Sequence, residues 1–251
     1  MTHSSHPYPP AAFESLFHRE STNWWFIQRN QLILWALQRF MPTFDSLLEI
    51  GCGTGFVLQA IHAQHPHATL TGTDYFAEGL AYAKQRLPNV HLMQLDAQTM
   101  SDTQKYDVIG AFDVLEHIPD DQLVLQNCAR ALTPNGMMFI SVPQHMWLWS
   151  HADVYAAHAR RYTEKDLHQK LQCAGLHVVY STSFVSLLVP LMLLVRIRVT
   201  ADSYNPDAEF DISPTLNTIL KTIMQFELWM LRMGIRFPIG GSRFMVAQKR
   251  T

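Results

Sequence analysis

The chain has 251 residues, a formal net charge of −2 and 48% hydrophobic residues. That length and apolar content suit one large domain, or one domain with a substantial insertion, around a sizeable core. The near-neutral balance argues against a general nucleic-acid binder, which carries a basic surplus.

The first ten residues, MTHSSHPYPP, are polar and lack the basic-then-apolar order of a secretory signal. Residues 13–40 read as helical, with Trp24, Trp25 and Phe26 near the middle. A repeating pattern then begins. SLLEI (46–50) reads as a buried strand, followed by glycines and a helical stretch to about Gln64. ATLTGTD (68–74) is a strand and residues 77–87 a helix. VHLMQLD (90–96) and YDVIGAF (106–112) are strands, and residues 120–132 a helix. The turn TPNG (133–136) leads into MMFISV (137–142). Thr163, with Asp166 three residues on, caps a helix running to about Ala174, and HVVYSTS (177–183) is the sixth strand. SRFMVAQK (242–249) supplies a last one. Strands alternating with helices in this way predict a doubly wound, mostly parallel α/β sheet of seven strands.

Three units follow from this pattern: an N-terminal helical cap over 1–41, a core over 42–183 and 242–251, and an apolar helical insertion over 184–241. Within the insertion, residues 184–197 (FVSLLVPLMLLVRI) are too short to span a bilayer comfortably and contain Pro190. Leu216, Ile219, Leu220, Ile223, Phe226, Met230 and Met233 recur at helical spacing. Cys52, Cys128 and Cys173 are too few and too scattered for a disulfide framework or a zinc site, so a reducing cytoplasm is the simplest setting.

The loop LLEIGCGTGF (47–56) joins the first strand to its helix, and its glycines allow a sharp turn and close approach to a ligand. A dinucleotide fingerprint would place its third glycine at position 56, which is Phe56; a phosphate-cradling loop would close on Gly-Lys-Ser/Thr. No lysine or arginine occurs between Arg39 and Lys84. Glu49, with Asp74 and Asp96 at the next two strand ends, makes an acidic surround that suits a positively charged ligand better than a triphosphate. Asp74 is placed to accept hydrogen bonds from ribose hydroxyls. Asp74 or Asp96 alone has a lesser alternative as a helix cap.

EIGCGTG, GTD, LDA, YDVIGAFDVLEHIPD and LTPNGMMFISVP, in that order over residues 45–182, resemble the successive motifs of class I S-adenosylmethionine-dependent methyltransferases. The resemblance is strongest to the small-molecule group that includes quinone-biosynthesis methyltransferases. It implies S-adenosylmethionine as cofactor and S-adenosylhomocysteine as product. It implies that Glu49, Gly51 and Gly53 line the methionine end, Asp74 holds the ribose, Asp96 and Ala97 meet the adenine edge, and Phe112 floors the site. Cys52 and Tyr75 complete the set of cofactor-contacting positions. Some members carry an acid-x-x-Glu-His metal site after the fourth strand. Asp113, Glu116 and His117 match its positions, with Asp where the first Glu stands, and structural support outweighs metal binding for them.

Methyl transfer to a hydroxyl or an acidic carbon benefits from a base near the methyl group, and His117 follows the fourth strand, near the carboxyl edge where ligands lie. A second group of titratable residues lies in SHADVYAAHARRYT (150–163), a loop leaving the fifth strand at that edge. Related bacterial methyltransferases share a Trp…Asp…His-x-Arg-Arg-Tyr pattern, matched here by Trp149, Asp153, His158, Arg160, Arg161 and Tyr162. His158 or His151 is a candidate base, and Arg160 a candidate anchor for an anionic or carbonyl group of the acceptor. Alternatively, the arginines pin the loop through Asp153 or Glu164. The expected activity is methyl transfer to a small, partly apolar acceptor, on oxygen or carbon. The expected location is cytoplasmic, with the insertion able to contact the acceptor or the inner face of a membrane. Two other readings stay open: a nicotinamide oxidoreductase on a similar sheet, opposed by Phe56, and a non-catalytic or membrane-associated cofactor-binding protein.

Overall fold

A computed structural model describes residues 11–198 and 211–250. Residues 1–10 and 199–210, which belong to the expected cap and insertion, lie outside the described residues, as does Thr251. The chain opens with two helices, α1 (Ala11–Arg19) and α2 (Trp24–Phe40), where the sequence reads as one. The break falls at Ser21-Thr22-Asn23. The Asn23 side chain accepts a hydrogen bond from the Trp25 amide at 2.9 Å, so a residue that competes for backbone donors starts a new helix.

Seven strands follow: β1 (Ser46–Ile50), β2 (Thr69–Asp74), β3 (His91–Gln94), β4 (Tyr106–Phe112), β5 (Leu132–Pro143), β6 (Leu176–Phe184) and β7 (Ser242–Lys249). Their order across the sheet is β3-β2-β1-β4-β5-β7-β6. All neighbouring pairs are parallel except those made by β7, which runs antiparallel between β5 and β6. The expected TPNG turn is drawn into β5. The strand starts at Leu132 opposite Tyr106, and its register shifts as the chain passes Asn135 at φ +64°. Asparagine tolerates that left-handed conformation, so the turn becomes an irregularity within the strand.

The central strands are buried on both faces, as continuous apolar runs such as Leu47-Leu48 and Val108-Ile109 require. One helical layer is built from α2, α3 (Phe56–Gln64) and α9 (Pro214–Arg232); the other from α5 (Asp121–Ala131) and α7 (Glu164–Cys173). Helix α4 (Ala77–Arg86) follows β2, the short α6 (His151–Tyr155) follows β5, and α8 (Val189–Arg198) follows β6. The strand order reverses between β1 and β4. In open α/β sheets the crevice at such a reversal, outside the carboxyl ends of the strands, is where ligands bind.

Candidate active site

A cavity of about 1630 Å³ occupies that crevice. Its base is the β1–α3 loop, one wall is the stretch from Asp113 to Pro119, its roof includes the loop around His158, and its far end is walled by α8 and α9. Gly51, at φ +64°, has no room for a side chain: a Cβ there would lie 2.4 Å from a Val114 methyl. That crowding, with the left-handed backbone, dictates glycine. The Gly53 amide donates to Asp74 Oδ2 at 2.8 Å, and the Phe76 amide donates to Asp74 Oδ1 at 2.8 Å. Asp74 therefore fastens the loop to the end of β2, while each oxygen keeps acceptor capacity. Burial raises its pKa, against the pull of those backbone amides.

Glu49, at the end of β1, is buried, and its Oε2 has no hydrogen-bond partner. Burial pushes its pKa up to about 8; the Arg29 guanidinium opposes the rise, and Asp74 and Glu20 add to it. An orphaned carboxylate beside an open cavity is a site for a cationic or N–H donor group. Arg29, from α2, pairs with Asp113 Oδ2 at 2.5 Å and lies 4.6 Å over the Trp25 ring. Its Nε is buried without a partner and it lines the same cavity. Sequence reasoning missed Arg29; its only signal is a cation one turn after the aromatic run Trp24-Trp25-Phe26.

The remaining expected cofactor positions surround these. Asp96 lines the cavity and caps the next turn by accepting from the Gln98 amide at 2.9 Å. Ala97 and Phe112 are buried in the wall, and Tyr75 is exposed at the rim. Cys52 is buried and burial pushes its thiol far up, so it packs rather than reacts. A second unforeseen device closes the loop from outside. Glu20 accepts from Thr54 Oγ1 at 2.5 Å and from Arg86 Nη1 at 2.6 Å, and Arg86 also donates to the Phe17 carbonyl at 2.8 Å. These bonds tie the N-terminal helices to the glycine loop and to α4.

The loop from 150 to 163 is pinned by Asp153, which is fully buried. Its carboxylate accepts from the Ser150 amide at 2.8 Å, from Arg161 Nε at 2.7 Å and Nη2 at 2.9 Å, and lies 2.9 Å from His158 Nδ1. Burial alone would raise its pKa; the bonds from His158 and Arg161 outweigh it and hold the carboxyl well below the usual range. Arg161 is thus a pin, as one reading of the sequence allowed, although its partner is Asp153 and not Glu164. Arg160 points elsewhere, to Asp121 at 2.9 Å and the Pro119 carbonyl at 2.8 Å, and does not line the cavity. Tyr162 packs beneath the loop with its hydroxyl donating to Asp121 at 2.6 Å.

His117, His151 and His158 all line the cavity. The His117 and His158 rings meet edge to face, 4.7 Å apart. Burial, and then the neighbouring His158, lower the His117 pKa to about 4. Glu116 is fully buried, neither carboxylate oxygen has a hydrogen-bond partner, and its Oε1 lies 3.9 Å from His158 Nε2. Burial, reinforced by Asp113, raises its pKa well above the usual range. Among the described residues, Glu116, His117 and His158 form a group able to converge on a cation. Asp113, the remaining position of the sequence motif with Glu116 and His117, is engaged by Arg29.

A family model described as a methyltransferase domain matches residues 24–181. Ubiquinone biosynthesis O-methyltransferases are similar in sequence. That of Coxiella burnetii (strain Dugway 5J108-111) is 35% identical over 101 residues, 38% of this chain and 42% of the relative. That of Pseudomonas fluorescens (strain Pf0-1) is 32% identical over 146 residues, 52% of this chain and 60% of the relative. The chain thus spans less than two thirds of these curated relatives. Among solved structures, phosphoethanolamine N-methyltransferase 2 of Haemonchus contortus, in complex with S-adenosyl-L-methionine, shares the fold. It has a TM-score of 0.61 and 19% identity, over 88% of this chain and 53% of that one. A SAM-dependent methyltransferase of Thermotoga maritima aligns with a TM-score of 0.61 and 13% identity, over 96% of each chain. With the family match running from α2 to β6 across the glycine loop and the acids at the strand ends, the chain belongs to the methyltransferase domain family.

Proposed function

We propose that this protein transfers a methyl group from S-adenosylmethionine to an oxygen of a small, partly apolar acceptor. The observation that carries the reading is a single cavity with two chemistries. The orphaned Glu49 carboxylate, Asp74 and Asp96 stand at one end, the His117–His158 pair in the wall, and Leu188, Met192 and Leu220 at the other end. Oxygen as the methylated atom is favoured by the O-methyltransferase names of the sequence relatives.

The cofactor fits the residues present: a buried acceptor lacking a donor, beside a guanidinium with an unused N–H, matches an amino-acid zwitterion. Glu49 would hold its ammonium and Arg29 its carboxylate. Asp74 would take the ribose hydroxyls, Asp96 and Ala97 would meet the adenine, and Gly51, Cys52, Gly53, Tyr75 and Phe112 would shape the walls. When bound, the cofactor supplies a methyl carbon already activated by a sulfonium. The protein's part is then position, exclusion of water and removal of one proton. His158 is the base in this reading. An ionised Asp153 holds Nδ1 as the N–H donor and leaves Nε2 to accept the proton of an acceptor hydroxyl. Asp153 is a positioning residue, and Arg160 is assigned to the scaffold. On the same reading, the described residues of the expected cap, 11–41, cover the cofactor, 42–183 and 242–250 form the core, and the described parts of the insertion, 184–198 and 211–241, shelter the acceptor.

The test is transfer of a labelled methyl from the cofactor into organic extracts of bacterial cells, alongside calorimetry with S-adenosylhomocysteine and NAD. Label in an apolar product, and heat with S-adenosylhomocysteine only, are expected; methylation confined to sugars or free amino acids would sink the acceptor class. Turnover is expected to survive chelator, because burial favours neutral Glu116, Arg29 occupies Asp113 and Asp153 occupies one nitrogen of His158. Collapse with chelator and recovery with magnesium would instead assign the Glu116–His117–His158 group to a metal. Asp74→Ala should weaken S-adenosylhomocysteine about tenfold or more, the worth of hydrogen bonds to a charged acceptor. Unchanged affinity would remove Asp74 from the site.

A further inference from the structure

Helices α8 and α9 leave an apolar face uncovered. Helix α8 is apolar almost throughout, and five aliphatic side chains on it or just before it are exposed: Leu187, Leu191, Leu193, Leu194 and Val195, with Leu194 at 55%. A helix apolar on every side is normally buried in protein or in lipid. Ten residues rise only about 15 Å, half the thickness of a bilayer's hydrocarbon, and no helix among the described residues is long and apolar enough to cross a membrane.

Helix α9 is apolar on two sides. Leu220, Met224, Leu228 and Leu231 are buried against the core. Ile219, Phe226, Trp229 and Met233 form a second stripe in solvent, with Phe226 and Trp229 stacked at 5.6 Å and more than half exposed. The exposed charges on α9 and just past its end have one sign, and the exposed acid Asp211 precedes its first turn. The helix's single acid, Glu227, is buried and accepts from the Ser186 and Leu187 amides, while Arg232 and Arg236 are exposed and Lys221 is half-buried. The outer face is also continuous with the cavity: Leu191, Val195 and Leu216 line it and are themselves exposed.

We propose that this face docks on an anionic phospholipid bilayer, and that α8 and α9 flank the port through which a membrane-dissolved acceptor reaches the cavity. An aromatic and aliphatic stripe with a cationic fringe is the surface that lies flat in a lipid interface. A cavity whose apolar wall includes exposed residues of the same two helices, Leu191, Val195 and Leu216, lets an acceptor tail move from lipid to protein with little contact with water. The port rests on the methyltransferase reading above; the docking does not.

The test is vesicle flotation of the full chain, without any substrate. Wild-type protein is expected to float with phosphatidylcholine vesicles containing roughly 30% phosphatidylglycerol, and to float less with pure phosphatidylcholine or in high salt. Phe226→Ser with Trp229→Ser should weaken partitioning about tenfold or more, with S-adenosylhomocysteine affinity and Tm unchanged. Failure of wild type to float, or equal flotation of the double variant, overturns the proposal. So does a concentration-dependent dimer in light scattering that the same substitutions dissociate, because the face is then a contact between two copies. Flotation that persists in a protein binding no S-adenosylhomocysteine would retain the docking and reject the methyltransferase reading and its port.

Discussion

His158→Ala is expected to lower kcat by about 10²- to 10⁴-fold, the usual contribution of a positioned general base, while S-adenosylhomocysteine affinity and Tm stay close to wild type. The loop's own backbone supports the second half of that expectation. The His158 amide donates to the Asp153 carbonyl at 2.9 Å and the Ala159 amide to the Glu116 carbonyl at 2.7 Å, and neither bond needs the imidazole. Asp153 also keeps its two bonds from Arg161 when the ring is removed. The first half rests on the choice between His158 and His117, the two of the three candidate histidines whose rings meet. His117 and His158 are both half-buried, but the His117 pKa near 4 makes it a weak acceptor for a hydroxyl proton. A base that far below neutral pH loses most of its driving force for proton transfer. His117→Ala should therefore cost less than His158→Ala. A larger loss at His117 would exchange their roles. A His158 variant that loses stability and cofactor binding together would place the residue in the scaffold.

What was legible in the sequence follows from what is local. Glu49, Asp74 and Asp96 stand at or just past the ends of three consecutive strands, so reading the strands also locates the acids. The helix capped by Thr163 was equally plain, since its cap and the amide that bonds to it are three residues apart. Pairings across long separations were not. Arg29 with Asp113, and Glu20 with Arg86, bridge 84 and 66 residues; nothing in a periodicity couples those positions. The stripe in α9 illustrates a different failure. Of the residues that gave the helix its apolar spacing, Leu220 meets the core and Ile223 and Met230 are half-buried, but Leu216, Ile219, Phe226 and Met233 are exposed, while Met224, Leu228 and Leu231, outside that spacing, are buried. A period identifies a face; which of two apolar faces is covered depends on the packing of α9 over α2.

Glu49→Gln is expected to weaken S-adenosylhomocysteine by about 10- to 100-fold, the range for losing a hydrogen bond to a charged group, and to change how binding depends on pH. In the empty protein Glu49 titrates near 8, because burial disfavours its charge more than Arg29 favours it. At pH 7 it is therefore mostly neutral. A ligand ammonium set against it favours the carboxylate, so binding at pH 7 should release on the order of one proton per site. Calorimetry in buffers of different ionisation enthalpy reads that number directly, and it should vanish in the glutamine variant. The same group governs stability. A carboxyl raised from about 4.3 in the unfolded chain to about 8 in the folded one holds an extra proton between those values. Its contribution is thus fully present below the lower value and is lost as pH rises through the higher one. Ligand-free wild type should lose Tm between pH 6 and pH 8, with numbers of that size set by the two titrations; saturating S-adenosylhomocysteine should flatten the slope, and Glu49→Gln should flatten it without ligand. If the variant binds as tightly as wild type and releases the same protons, the ammonium lies against some other group, and the orphaned oxygen at the end of β1 is a buried acid with no part in the site.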